Sequence, residues 1–182
     1  MLRMLLAFAL LCLSYQDSIS QETLREKMVG TWKLVSVESV RAGGEALHLW
    51  LGPNPVGLII YLPNGFMSVQ IMRDPRPKPF AKGRVLGTPD EFKDAYLGYY
   101  GYSGTYTVNE ADKSVEHKIQ TSLWPEEVGG TRKRAVILDG DKVTLITPPF
   151  RAELLIAREV LEKAGVRPDE MLTNRLTWVQ VR

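Results

Sequence analysis

Gly30-Thr31-Trp32-Lys33-Leu34-Val35-Ser36-Val37 is the stretch that decides the fold of this chain. A Gly-x-Trp heads an extended run, and the remainder of the chain is almost entirely short strands separated by turn residues. That combination predicts a β-barrel whose base is closed by Trp32. Closure removes the exposed strand edges that an open sheet would leave, and a barrel of about eight strands has room inside for packed side chains or one small ligand. The expectation is an all-β fold, an antiparallel up-and-down barrel of about 8–10 strands with one or two short helices.

Toward the N-terminus, residues 1–20 read as a signal peptide. Arg3 supplies a positive start, Leu5 to Leu13 an apolar core, and Ser18-Ile19-Ser20 small residues at the cleavage positions. The core is far too short to span a bilayer. Cleavage after Ser20 would leave a domain over 21–182, exported to a secreted or periplasmic location. Lipid attachment at Cys12 is disfavoured because Leu11, not a small residue, precedes it. Cys12 is the single cysteine, so the mature domain would have no disulfide, thiol nucleophile or cysteine-ligated metal. With 182 residues, 45% of them hydrophobic, one domain can be held by its core alone. The balance of 23 basic and 21 acidic residues, net +2, gives no sign of a nucleic-acid partner. The densest cluster, Arg132-Lys133-Arg134, alternates between faces on a strand.

Toward the C-terminus, Arg41 to Pro55 is irregular, with a turn at Gly43-Gly44. Gly57–Tyr61 and Phe66–Met72 form a hairpin across Leu62-Pro63-Asn64-Gly65, where glycine can supply positive φ. Asp74 to Gly87 is a Pro- and Lys-rich loop. Thr88-Pro89-Asp90-Glu91 carries a capping box with proline at the first helical position. It predicts a helix bearing Phe92, Ala95, Tyr96 and Tyr99 on one side and ending near Gly101. Strands are expected at Gly104–Val108, Val115–Leu123, Thr131–Leu138 and Lys142–Thr147. A second helix is expected over Arg151–Ala164, ended by Gly165 and Pro168. The last strand, Arg175–Val181, should pair with the first and close the barrel. No repeat or linker divides the chain.

Five segments together resemble the bacterial and fungal lipocalin-like domain family of the calycin group. They are Gly30-Thr31-Trp32-Lys33-Leu34, Gly52-Pro53-Asn54-Pro55-Val56-Gly57, Tyr61 to Ser68, Ser103-Gly104-Thr105-Tyr106 and Asp139 to Leu145, with Trp178 in the closing strand. Gly-Pro-Asn-Pro-Val-Gly with the hairpin after it is the most specific part. The resemblance spans the mature chain except that the Pro148–Asn174 connection is unusually long. It implies a barrel with a cavity and implies little about chemistry.

Alternation along Val115–Leu123 assigns Val115, His117, Ile119, Thr121 and Leu123 to the interior. His117 is then an imidazole among apolar neighbours. It is either a neutral core histidine bonded to a tyrosine or carbonyl, or a ligand contact or general base. Arg134 shares a face with Val136 and Leu138, opposite Lys133, Ala135 and Ile137; both faces are partly apolar, and the turn after Leu138 together with the family resemblance implies that the Arg134 face is directed inward. A buried guanidinium requires an anionic partner, either Glu38 in the first strand or a ligand carboxylate. Tyr61, Gln70 and Tyr106 are further candidates for the pocket. Tyr96, Tyr99, Tyr100 and Tyr102 form an aromatic cluster near one mouth, read as a helix's packing face. Trp32 and Trp178 read as core.

Catalytic constellations are sparse. With two histidines and no helical pair there is no metal motif, and no phosphate loop or Gly-x-Ser-x-Gly elbow occurs. No cofactor or metal is expected, and no stable membrane insertion. The leading expectation is an interior site for a small hydrophobic molecule, acidic or carbonyl-bearing, in a monomer or weak homodimer. The alternatives are an isomerase, cyclase or hydrolase using His117 as acid or base, and a structural barrel filled by its own side chains.

Overall fold

The computed structural model describes residues 22–182; the expected signal peptide and its cleavage point lie outside the described residues. A short helix, α1 (Leu24–Met28), leads directly into β1 (Gly30–Arg41). Then come β2 (Ala46–Leu47), β3 (Val56–Tyr61), β4 (Phe66–Met72), α2 (Pro89–Leu97), β5 (Tyr99–Asn109) and β6 (Ser114–Ser122). The chain continues through β7 (Thr131–Asp139), β8 (Lys142–Ile146), β9 (Phe150–Arg151), α3 (Arg158–Lys163) and β10 (Met171–Gln180). Every ladder is antiparallel, and the order β1-β3-β4-β5-β6-β7-β8-β10 closes by pairing β10 with β1. The result is an eight-stranded barrel with β2 and β9 as short appendages.

Closure happens where Trp32 predicts it. Trp32 pairs with Gln180 of β10 on one side and Ile59 of β3 on the other. It is 1% exposed, and its indole N–H donates to the Met28 carbonyl at 2.9 Å. The sequence reading did not foresee α1, which is held by a capping box between Thr23 and Glu26 and puts Leu24 and Met28 into the core beneath the tryptophan. The base of the barrel is therefore sealed by apolar packing.

Three local expectations need correction. The first helix ends at Leu97, with Gly98 as its cap, so Tyr99 belongs to β5, which begins earlier than the expected Gly104. Tyr99 to Tyr102 pair in register with Met72 to Val69, and that ladder outcompetes one more helical turn. The second helix is confined to Arg158–Lys163, the residues before it being β9 and a single tight 3₁₀ turn at Ala152–Leu154. Finally, the inward alternation of β6 holds for Val115, His117 and Ile119 and then fails, leaving Thr121 and Leu123 exposed. A β-bulge causes this: Gly104 pairs with Ile119 and Ser103 with Thr121, so Gln120 has no partner and the side-chain phase flips. Glycine is required at 104, because a Cβ there would lie 2.0 Å from the Lys118 carbonyl oxygen.

The long Pro148–Asn174 connection has its own small core of Leu49, Ala152, Ile156, Leu161, Val166 and Leu172. Trp50 packs against both this cluster and the barrel core, tying the connection to the open end. On the flank, Gly52 sits at φ +75° with its α-carbon against the Asp74 carbonyl, which explains the glycine that starts Gly-Pro-Asn-Pro-Val-Gly. No described helix is long and apolar enough to cross a membrane.

Candidate functional site

The inward faces of β3 to β8 and β10 stop short of filling the barrel. Between the sealed base and the Pro148–Asn174 connection lies a cavity of about 390 Å³, within the usual range for a small-molecule site. Its aromatic part comes from two sources. Alternation on β5 turns Tyr100 and Tyr102 inward, and the irregular segments contribute Trp50 and Trp124. Their rings interlock: Tyr100 lies 4.9 Å from Trp50, 5.0 Å from Trp124 and 5.4 Å from Tyr102, centroid to centroid. Trp178 of β10 and Leu176 complete an apolar wall. The tyrosine cluster thus divides. Tyr96 stays on the exposed helix, Tyr99 lies outside the barrel, and Tyr100 and Tyr102 line the cavity.

His117 is fully interior, 1% exposed, and borders the cavity. Both ring nitrogens are engaged, Nε2 with the Tyr61 hydroxyl at 2.8 Å and Nδ1 with the Tyr102 hydroxyl at 2.7 Å. Burial, reinforced by the Arg134 charge, pulls its pKa down to about 3, so the imidazole is neutral at physiological pH. Burial raises both tyrosines in turn, Tyr61 well above the ordinary phenol value and Tyr102 to about 12. All three groups are neutral hydrogen-bonding partners.

Arg134 faces inward as expected, half-buried beside Val136 on β7, and lines the cavity. It pairs across the ladder with Val115, placing it diagonally next to His117. Its one side-chain hydrogen bond is from Nη1 to the Lys133 carbonyl at 2.9 Å. The expected pairing with Glu38 is not formed. Glu38 sits on β1 opposite Arg175, and among the described residues no carboxylate lies within ion-pair distance of Arg134.

Arg132, two residues earlier and on the same face, is satisfied. Its Nη2 donates to Glu127 Oε1 at 3.0 Å. Glu127 is 2% exposed and also accepts from Tyr100 (3.1 Å) and Ser122 (3.0 Å). The sequence reading missed Glu127 because it stands in a turn, where no periodicity assigns a face.

The remaining candidates separate. Tyr61 and Tyr106 are buried and meet edge to face with ring centroids 4.9 Å apart, but both lie toward the base and outside the cavity wall. The Tyr106 hydroxyl donates to the Leu62 carbonyl at 3.0 Å. Gln70 is misassigned to the pocket. On β4 the inward residues are Met67, Val69 and Ile71, which leaves Gln70 on the outer surface, where it accepts from the Tyr99 hydroxyl. The apolar set of a barrel strand turns inward, and Val69 and Ile71 outrank an amide. Among the described residues no group of three His, Cys, Asp or Glu is placed to hold a metal.

Comparison with known proteins places this geometry. The chain is 32% identical, over 87 residues, to the 4'-hydroxy-3'-methoxypropiophenone carrier protein of Aspergillus oryzae, an overlap of 44% of this chain and 78% of that protein. Among solved structures it resembles EF1p2_mFAP2b bound to DFHBI, at 12% identity over 89% of this chain and all of that one, with a TM-score of 0.40. It also resembles a de novo designed fluorescence-activating β-barrel, at 9% identity over 86% and 96% of the two chains, with a TM-score of 0.36. Both structural likenesses are loose. The lipocalin-like domain profile matches residues 29–161, from the strand that carries Trp32 to the helix of the long connection, and the chain belongs to the lipocalin-like domain family.

Proposed function

We propose that this protein is an exported, monomeric carrier that holds one small, largely apolar molecule, bearing an acidic or carbonyl group, inside the barrel. The observation that carries the reading is Arg134. A half-buried guanidinium with no carboxylate partner among the described residues stands on the wall of a cavity lined by aromatic and aliphatic side chains together with the Arg132–Glu127 pair and other polar groups. Placing a cation against such a wall is costly unless an anion or a strong acceptor joins it. The open volume supports a ligand site over a barrel filled by its own side chains. The similarity to a carrier whose named cargo is an aryl ketone with hydroxyl and methoxyl groups supports an aromatic, carbonyl-bearing ligand class.

The catalytic alternative gains nothing from the geometry. A general base acting near neutral pH needs a matching pKa, whereas burial holds the His117 imidazole far below that range and both its nitrogens are occupied. Its role in the proposal is to anchor Tyr102. Native mass spectrometry of protein purified from its source tests the reading. A bound small molecule, lost from Arg134→Met but retained by a surface variant such as Lys142→Met, is the expected result. Loss of the molecule from neither variant overturns the role of Arg134.

A further inference from the structure

The hydrogen bonds around the cavity specify the form in which a ligand enters. A neutral imidazole has one N–H and one lone pair. Of the two tyrosines on His117, one therefore donates and the other accepts. The Tyr61 hydroxyl is fully buried away from the cavity wall, and its sole partner among the described residues is His117 Nε2. Were it to accept from Nε2–H, its own proton would be stranded in the core, at a cost of about 1–3 kcal/mol. Tyr61 thus donates to Nε2, the imidazole proton resides on Nδ1, and Nδ1–H donates to the Tyr102 oxygen. Tyr102 borders the cavity and is left with an unused O–H.

The other polar groups of the inner wall add to this picture. Glu127 is saturated by Tyr100, Ser122 and Arg132, and Asn174 Oδ1 accepts from Ser39. The indole N–H groups of Trp124 and Trp178 are buried without a partner, and Trp178 as a whole is 1% exposed. Arg134 keeps free N–H donors. The buried acceptors Glu127 and Asn174 Oδ1 are occupied, while Tyr102, Trp124, Arg134 and Trp178 have unused donors. The charges agree: Arg132 is cancelled by Glu127, Lys133 points outward to Asp112, and Glu126 is exposed. Arg134 is the half-buried charge on the wall with no carboxylate partner among the described residues, and the exposed Glu126 carboxylate borders the same cavity.

We propose that the cavity takes its ligand as an oxyanion, the conjugate base of a phenol, enol or carboxylic acid, with Tyr102 O–H and the Arg134 guanidinium on the anionic oxygen. This rests on the ligand-binding reading above and sharpens it. A neutral phenol would bring one more donor to a wall whose buried acceptors, Glu127 and Asn174 Oδ1, are already occupied, whereas its phenolate offers only lone pairs. Binding a phenol near its solution pKa then releases its proton to bulk water, and the O–H bond broken is the ligand's own.

The test uses 4-nitrophenol, whose phenolate alone absorbs in the visible, and 4-nitroanisole, its methyl ether, which cannot ionise. Both are titrated into the wild-type protein at a pH where free 4-nitrophenol is mostly protonated. The expected result is visible absorption from the bound probe, reflecting about a tenfold or greater preference for the anion, with weaker binding of 4-nitroanisole. Arg134→Met should abolish the preference, and Tyr102→Phe should reduce it about tenfold. Bound 4-nitrophenol that ionises as it does in water overturns the oxyanion inference and leaves the carrier reading standing. Failure of both probes to bind overturns the carrier reading itself. The wild-type result needs no variant to fold.

Discussion

At the scale of the residue, His117 links stability to pH. Its folded pKa of about 3 lies below the ordinary histidine value of 6.5, so the unfolded chain binds the extra proton between those limits. Stability from this group is fully present above about pH 6.5 and is lost as the pH falls toward 3, by up to several kcal/mol. The carboxylates Glu26, Glu91, Glu110 and Asp112 are held below their ordinary values by hydrogen bonds and add losses of the same sign only in the lower part of that range. Denaturant midpoints measured from pH 7 to 4.5 should fall for the wild type and stay nearly flat for His117→Gln. Parallel curves would mean that the imidazole is not held neutral by the fold. Trp32 makes the second prediction at this scale. With its ring buried and its N–H on Met28, Trp32→Ala should cost about 3–5 kcal/mol in urea unfolding. Arg134→Met makes the third: it should weaken an acidic ligand far more than a neutral one of the same shape, measured by calorimetry, and equal losses would make the arginine structural.

At the scale of the element, the β5–β6 bulge decides how much of the polar wall reaches the cavity. Before it, Val115, His117 and Ile119 point in; after it, Thr121 and Leu123 point out, and the chain turns to bring Trp124 and Glu127 over the opening. The device depends on Gly104, whose α-carbon meets the Lys118 carbonyl. Gly104→Ala should destabilise by about 1–3 kcal/mol, the scale of overpacking. It should also shift the amide resonances of Lys118 to Ser122 while leaving those of α1 unchanged. Unperturbed β6 resonances would show that the strands can separate freely there. The connection from Pro148 to Asn174 is the other element that shapes the site. Its separate core around Leu161 and Leu172 holds Phe150 and Leu155 at the cavity.

At the scale of the whole molecule, β1 and β10 are far apart in sequence and close the barrel with the longest ladder in it. Closure depends on pairing the two ends of the domain, so truncating Met171 to Arg182 should abolish cooperative unfolding rather than trim stability. Circular dichroism on thermal melting would show it, and a sharp transition in the truncated chain would contradict the topology. Export belongs to this scale as well. N-terminal sequencing of material secreted by the native host should begin near Gln21, and an intact Met1 would overturn the signal-peptide reading.

The sequence by itself determined the barrel. Gly-x-Trp, turn glycines at Gly65 and Gly140, period-two alternation and the capping box at Thr88 are local signals, each written in neighbouring residues. The inward direction of His117 was legible for the same reason, since alternation is a local property of a strand, whereas both faces of the Arg134 strand are partly apolar and its direction came from the turn after Leu138 and the family resemblance. The features that only the tertiary structure decided depend on contacts between residues distant in sequence. Gln70 lost to Val69 and Ile71 because the barrel admits one face of β4. Tyr99 left the helix because β4 offered it a ladder. Glu127, Trp50 and Trp124 came to the cavity from turns and irregular segments that have no period. The Tyr61–His117–Tyr102 chain joins three strands, and the direction of its protons depends on which hydroxyl is buried and which borders open space. Burial of that kind is a property of the closed barrel, and no stretch of the sequence carries it alone.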